Sequence, residues 1–141
     1  MVYLDTSFVV PYFLPEAASA RVEGFLQRFS EGLALSSWTK TEFASAVGIK
    51  QRSGQIDAQQ ADAALARFRE IVSSYFIVLV PREQDFDLAA EYLGHRELGL
   101  RAGDALHLAI AANHRAECLY TLDRTLLAAA GQLSVPAGMG I

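Results

Sequence analysis

The sequence predicts a three-layer α/β/α domain: a central, mostly parallel sheet with helices on both faces. Three observations carry this. Short apolar runs bounded by turn formers recur along the chain, at Val2-Tyr3-Leu4, Leu33-Ala34-Leu35-Ser36 and Phe76-Ile77-Val78-Leu79-Val80. One or two helical segments separate each run from the next, which is the connection parallel strands require. The period also changes abruptly at Asp5, where the first run gives way to the helical spacing of Phe8, Val9, Tyr12 and Phe13.

Each element follows in order. Asp5, Thr6 and Ser7 end the first strand with a carboxylate and two hydroxyls able to cap the helix beyond it. Pro15-Glu16 opens a second helical stretch, in which Val22, Phe25, Leu26 and Phe29 form one apolar face and Gly32 is the stop. The run at Leu33 to Ser36 reads as a second buried strand. The helix after it carries Glu42, with Phe43, Ala46 and Val47 on its core side and Ser53-Gly54 at its end. Asp57 with Gln60 resembles a capping box, and helical spacing persists from Ala61 through Phe68 to Tyr75. Phe76 to Val80, halted by Pro81, reads as a central strand buried on both faces. A helix with Phe86, Ala89, Ala90 and Leu93 on one face follows, then the polar loop His95 to Gly99. From Ala105 to Ala112 the next helix is apolar almost all round, as a helix buried at the centre of a domain is. Glu117 to Thr121 reads as a strand, Thr125 to Ala130 as a short helix, and Ser134-Val135 as a last strand. Residues 136–141 carry no assignment.

The 141 residues suit a single domain spanning 1–141, and the chain has neither internal repeats nor linkers. With 52% hydrophobic and 20% charged residues it is neither disordered nor low in complexity, and no stretch is apolar for long enough to span a bilayer. The N-terminus has no basic segment followed by a long apolar one, so a cytoplasmic location is expected. Cys118 is the sole cysteine and lies among apolar neighbours, which suggests a packing thiol rather than a nucleophile. A net charge of −4 argues against blanket electrostatic binding of nucleic acid. It does not exclude a nuclease, because a carboxylate-held ion brings positive charge to phosphate by itself.

Four acids carry the candidate chemistry: Asp5, Glu42, Asp104 and Asp123 each stand at or near the start of a helical segment that follows a strand. In a parallel sheet those strand ends share one edge, so topology brings the acids together although their spacing along the chain is far from local. Converging carboxylates repel one another unless a cation neutralises them or some are protonated, and all-oxygen ligands suit Mg²⁺ or Mn²⁺. Each acid also has a plainer reading. Asp5 caps a helix, Glu42 closes a Thr39 to Glu42 capping box, and Asp104 and Asp123 are first-turn acids favoured by the helix dipole. His107 lies one helical turn beyond Asp104 without a paired nucleophile or ligand. Trp38 reads as a core residue before it reads as a base-stacking platform.

Tyr3-Leu4-Asp5-Thr6-Ser7, Thr41-Glu42-Phe43, Arg101-Ala102-Gly103-Asp104-Ala105-Leu106-His107 and Tyr120-Thr121-Leu122-Asp123-Arg124 together resemble the four acidic motifs of PIN-domain ribonucleases. More narrowly, the chain resembles the toxins of VapBC-type toxin–antitoxin pairs over nearly its whole length. The resemblance implies a Mg²⁺- or Mn²⁺-dependent endoribonuclease, usually a homodimer, inhibited by a small VapB-like antitoxin whose tail enters the active-site groove. It implies that Asp5, Glu42, Asp104 and Asp123 hold one or two ions, with Ser7 or Thr6 supporting them by hydrogen bonds. Arg101 and Arg124, beside two of the acids, are the candidates to hold RNA phosphate. One departure is Leu126-Leu127, where relatives often carry an aromatic. Two rival readings stand beside this one. A phosphoaspartate hydrolase or receiver also places an aspartate after the first strand, but it calls for a second acid where Ser7 stands or for a late lysine, and none follows Lys50. A catalytically silent PIN-like binding module normally lacks some of the acids, whereas all four are present here.

Overall fold

The structure, a computed structural model, describes Met1–Ile141. Its strands are β1 (Val2–Leu4), β2 (Leu33–Ser36), β3 (Ile77–Leu79), β4 (Cys118–Tyr120) and β5 (Ala137–Gly138). Its helices are α1 (Thr6–Phe13), α2 (Ser19–Leu26), α3 (Ser37–Arg52), α4 (Ala58–Tyr75), α5 (Glu83–Leu93), α6 (Ala102–Asn113) and α7 (Arg124–Gln132). The strands form one sheet in the order β3-β2-β1-β4-β5, and every neighbouring pair is parallel. The expected mostly parallel sheet is therefore wholly parallel.

Alternation along the strands divides the interior in two. Val2, Leu4, Leu33 and Leu35 face a core completed by α1 to α4, while Tyr3, Ala34 and Leu119 face a second core completed by α5 to α7. In the first core Phe43 stacks on Phe68 with centroids 4.1 Å apart, and Phe13 meets both rings edge-on. This aromatic triad fixes α3 against α1, and with it Glu42 relative to Asp5. In the second core α6 is buried continuously from Ala105 to Ala111, as its all-round apolar sequence predicts. Asn113 Nδ2 donates to the buried Asp85 Oδ1 at 2.7 Å and ties α6 to α5.

Several local expectations are corrected. Phe76 to Val80 is not a central strand: β3 lies at the sheet edge beyond β2, and Ile77 and Val80 are 46% and 66% exposed. The last strand begins at Ala137 rather than Ser134, because Ser134 takes a left-handed φ of 56° and Val135 N–H turns back to Ala130 C=O at 2.9 Å. Helix α2 starts at Ser19, three residues after Glu16, and Phe29 lies past its end. The capping box of α3 pairs Ser36 with Thr39, which leaves Glu42 free of any capping role. The box at Asp57 and Gln60 is present as expected. Cys118 is half-buried, and burial pushes its thiol up.

Candidate active site

From β1 the chain steps outward to β2 and β3 on one side, then crosses over to β4 and β5 on the other. The switch point therefore lies between β1 and β4, and in open α/β sheets the crevice beyond the carboxyl ends of such strands is where ligands bind. Asp5 follows β1, and Asp123 follows β4. Glu42 projects from the second turn of α3, and Asp104 from the first turn of α6. All four acids line one cleft of about 410 Å³, together with Thr6, Ser7, Trp38, Arg101, Gly103 and His107.

Asp5 is buried, and both oxygens of its carboxylate accept hydrogen bonds from the chain. Ser7 Oγ donates to both oxygens at 2.8 and 3.0 Å, Thr121 Oγ1 to Oδ2 at 2.8 Å, and Phe8 N–H to Oδ1 at 3.0 Å. The last of these is a helix cap, so the plain reading of Asp5 is true, and the same side chain also lines the cleft. Burial raises its pKa above the ordinary carboxylate value, outweighing the opposing charge of His107 and the three sets of hydrogen bonds.

Glu42 is held differently. Thr6 Oγ1 donates to its Oε2, and His107 Nε2 lies 2.6 Å from the same oxygen. Burial alone would raise this carboxyl, but His107, by hydrogen bond and by charge, holds it below the ordinary value with help from Thr6. Gly103, in the first turn of α6, makes room for the arrangement. A Cβ there would stand 2.7 Å from Glu42 Oε1 and 3.3 Å from Trp38 Nε1. Trp38 packs its ring against the second core as expected, yet its indole Nε1 is buried beside the cleft without a hydrogen-bond partner.

Asp104 and Asp123 share a counter-charge. Arg101 Nε donates to Asp104 Oδ2 at 3.1 Å and Arg101 Nη2 to Asp123 Oδ2 at 3.4 Å, with the arginine side chain 79% exposed. Asp104 holds the guanidinium above its ordinary pKa. Asp123 caps α7 as well, accepting from Thr125 N–H and Leu126 N–H at 2.7 and 3.1 Å. Arg124 is brought to no such place: it opens α7 as an exposed residue outside the cleft lining. Of the aliphatic pair that departs from the resemblance, Leu126 is fully buried in the second core and Leu127 is half-buried.

The donor set fits a hard divalent cation. It is all oxygen, and a cationic guanidinium already sits between two of the four acids as a stand-in for positive charge. No three of the acidic, histidine or cysteine side chains stand close enough to enclose an ion unaided. Mg²⁺ commonly keeps several of its waters and takes one or two carboxylates, so its binding does not require such a cage. Sequence reasoning missed Tyr3, Thr121 and Gly103, and gave His107 little part. The available signal for His107 was a polar side chain inside an otherwise apolar helix.

Fold and cleft together define an α/β domain that gathers carboxylates at the C-terminal edge of a parallel sheet. The family model for the PIN domain matches residues 2–132, and the chain belongs to the PIN domain family. Among solved structures it is similar to VapC20 of Mycobacterium tuberculosis, a sarcin-ricin loop cleaving toxin. The two share 21% identity and a TM-score of 0.74, over 92% of this chain and 95% of that one. FitAcB from Neisseria gonorrhoeae gives 20% identity and a TM-score of 0.78, over 99% and 98% of the two chains. A toxin–antitoxin complex from Klebsiella pneumoniae gives 19% and 0.69, over 100% and 98%. At these identities the likeness is one of fold. No curated protein matches the sequence. Family membership sets aside the phosphoaspartate reading, and no lysine lines the cleft. No helix is long and apolar enough to cross a membrane.

Proposed function

We propose that this chain, as a single domain over 1–141, is a Mg²⁺- or Mn²⁺-dependent endoribonuclease and the toxin of a toxin–antitoxin pair. It acts in the cytoplasm as a homodimer and is inhibited by a small VapB-like antitoxin protein. The observation that carries this reading is that acids from four separate motifs line one cleft, with a guanidinium across two of them. The fold shared with toxins and with a toxin–antitoxin complex supports the biological setting.

Asp5, Glu42, Asp104 and Asp123 would hold the ion or ions, directly or through water. When bound, the ion supplies Lewis-acid chemistry, activating water and offsetting charge on the scissile phosphate and the leaving oxygen. The chain's own residues prepare that chemistry. Ser7, Thr121 and the Phe8 N–H fix both oxygens of Asp5, and Thr6 with His107 keeps Glu42 an ionised acceptor. Arg101 stands exposed at the cleft with a forked set of donors suited to RNA phosphate. Because the net charge is −4, affinity for RNA rests on such local contacts and on the ion rather than on a general basic field.

The test is digestion of total cellular RNA with and without Mg²⁺ or Mn²⁺, wild type beside Asp5→Asn. Cleavage by the wild type alone, and only with an ion, is expected. An inert wild type would make the chain a silent binding module, and an active Asp5→Asn would remove the acid site. A small open reading frame beside its gene is expected to encode the antitoxin, and co-expression with it to restore growth.

A further inference from the structure

We propose that Tyr3 and His107 are positioning residues that hold the Glu42 carboxylate by one oxygen and leave the other to the cleft, an inference that rests on the metal-nuclease reading above. His107 is the lone polar side chain in the buried run of α6 and is 1% exposed. A buried imidazole needs a partner at each ring nitrogen, and it has both. Nδ1 lies 2.8 Å from Tyr3 Oη and Nε2 lies 2.6 Å from Glu42 Oε2. A bare nitrogen lone pair that close to a carboxylate oxygen is repulsive, so Nε2 carries a proton.

Tyr3, itself fully buried, also has its Oη 2.9 Å from Ser36 Oγ. With Glu42 ionised, two proton arrangements satisfy every atom. In one, a neutral ring accepts the phenol proton at Nδ1 and Ser36 donates to the phenol oxygen. In the other, both ring nitrogens donate and the phenol proton goes to Ser36. Either way Nε2–H points at Oε2, so the clamp does not depend on which protonation state holds.

Thr6 Oγ1 donates to the same Oε2, so the protein engages that oxygen from two sides. Neither of these bonds reaches Oε1, which lies against Gly103 where a Cβ would stand 2.7 Å away. The two oxygens of Glu42 are therefore unequal: Oε2 takes both of these hydrogen bonds and anchors the side chain, and Oε1 takes neither. Groups that hydrogen-bond the far side of a metal ligand set its orientation, and removing them costs about 10–100-fold in metal affinity or activity. A histidine that merely completes a core would affect stability alone.

The experiment compares His107→Leu, His107→Gln, Tyr3→Phe and Asp5→Asn in two readouts. One is Mn²⁺ affinity by calorimetry. The other is kcat and KM on an RNA oligonucleotide chosen from the total-RNA digest. His107→Leu is expected to lower Mn²⁺ affinity and kcat by about 10–100-fold with KM unchanged. Glutamine, whose amide can donate where Nε2 does, is expected to recover most of the loss, and Tyr3→Phe to fall between Leu and wild type. If His107→Leu does not fold, the isosteric Tyr3→Phe decides: wild-type values in both readouts overturn the proposal. A folded His107→Leu with wild-type values, or glutamine no better than leucine, overturns it as well. In each case Asp5→Asn must have lost Mn²⁺, since retained binding there means that the metal reading itself has failed.

Discussion

Thr121 Oγ1 donates to Asp5 Oδ2 at 2.8 Å across 116 residues of sequence. The same hydroxyl oxygen accepts from Asp123 N–H at 2.9 Å, so one threonine joins the turn after β4 to the acid after β1. Thr121→Val keeps the shape but strips the buried Asp5 of a donor and leaves a partly buried N–H without its acceptor. The expected loss is about 1–3 kcal/mol, the cost of unsatisfied buried groups. Thr121→Ser should restore most of it in denaturant titrations, and equal stability of the Val and Ser variants would contradict this role.

Metal binding should appear as stability. Saturating Mn²⁺ is expected to stabilise the wild type by about 2.7 kcal/mol at a hundredfold excess over the dissociation constant. Asp5→Asn and Asp104→Asn should respond far less in the same thermal melts. Identical shifts in all three proteins would remove these acids from the ligand set.

Arg101 should affect ion and RNA in opposite directions. Its guanidinium competes with a cation for Asp104 and Asp123, but it is largely exposed, so the competition amounts to about 0–1 kcal/mol. Arg101→Ala is expected to bind Mn²⁺ modestly more tightly and RNA more weakly, read by calorimetry and by KM. Weaker Mn²⁺ binding in the variant would mean that the arginine supports the acids rather than competing for them.

Asp5 and Glu42 should give stability opposite pH dependences in EDTA. Burial raises the folded pKa of Asp5, so its contribution is present below the ordinary value of 3.8 and is lost as pH rises through the folded one. The folded pKa of Glu42 is lowered, so its contribution is present above the ordinary value of 4.5 and is lost as pH falls through the folded one. Relative to wild type, Asp5→Asn should gain as pH rises toward neutrality, and Glu42→Gln should gain as pH falls into the acid range. Urea titrations from pH about 3 to about 7 check both signs.

Gly103→Ala separates stability from activity. Alanine inside a helix gains about 0.5–1 kcal/mol over glycine, whereas overpacking costs about 1–3 kcal/mol. The overpacking outweighs the helix gain by up to about 2.5 kcal/mol, so the melting temperature should fall modestly. The new Cβ must displace Glu42 Oε1, however, and Oε2 is pinned, so RNA cleavage should fall sharply. Full cleavage by the alanine variant would show that Glu42 can shift without consequence.

Much of this architecture was legible in the residues themselves. The buried helix α6 announced itself by apolar positions all round, and the acids at Asp5, Glu42, Asp104 and Asp123 by following strands in a fold whose strand ends share an edge. Strand order was not legible. Phe76 to Val80 has the composition of a central strand, and only the pairing of β3 with β2 alone sets it at the rim. The cap of α3 was misplaced because Ser36 and Thr39 satisfy the same pattern one turn earlier than Thr39 and Glu42 do. Periodicity reports which face a side chain occupies but not its hydrogen-bond partner, which is why the contacts of His107 and Thr121 stayed hidden.

The central position of β1 also orders events in time. Its neighbour β2 is made soon after it, but the other edge of β1 stays bare until the residues of β4 leave the ribosome, and both Asp104 and Asp123 lie in that late portion. A nascent chain therefore carries half of the acids with no cleft to put them in. An activity that depends on all four acids would stay dormant until β4 has joined β1 in the sheet.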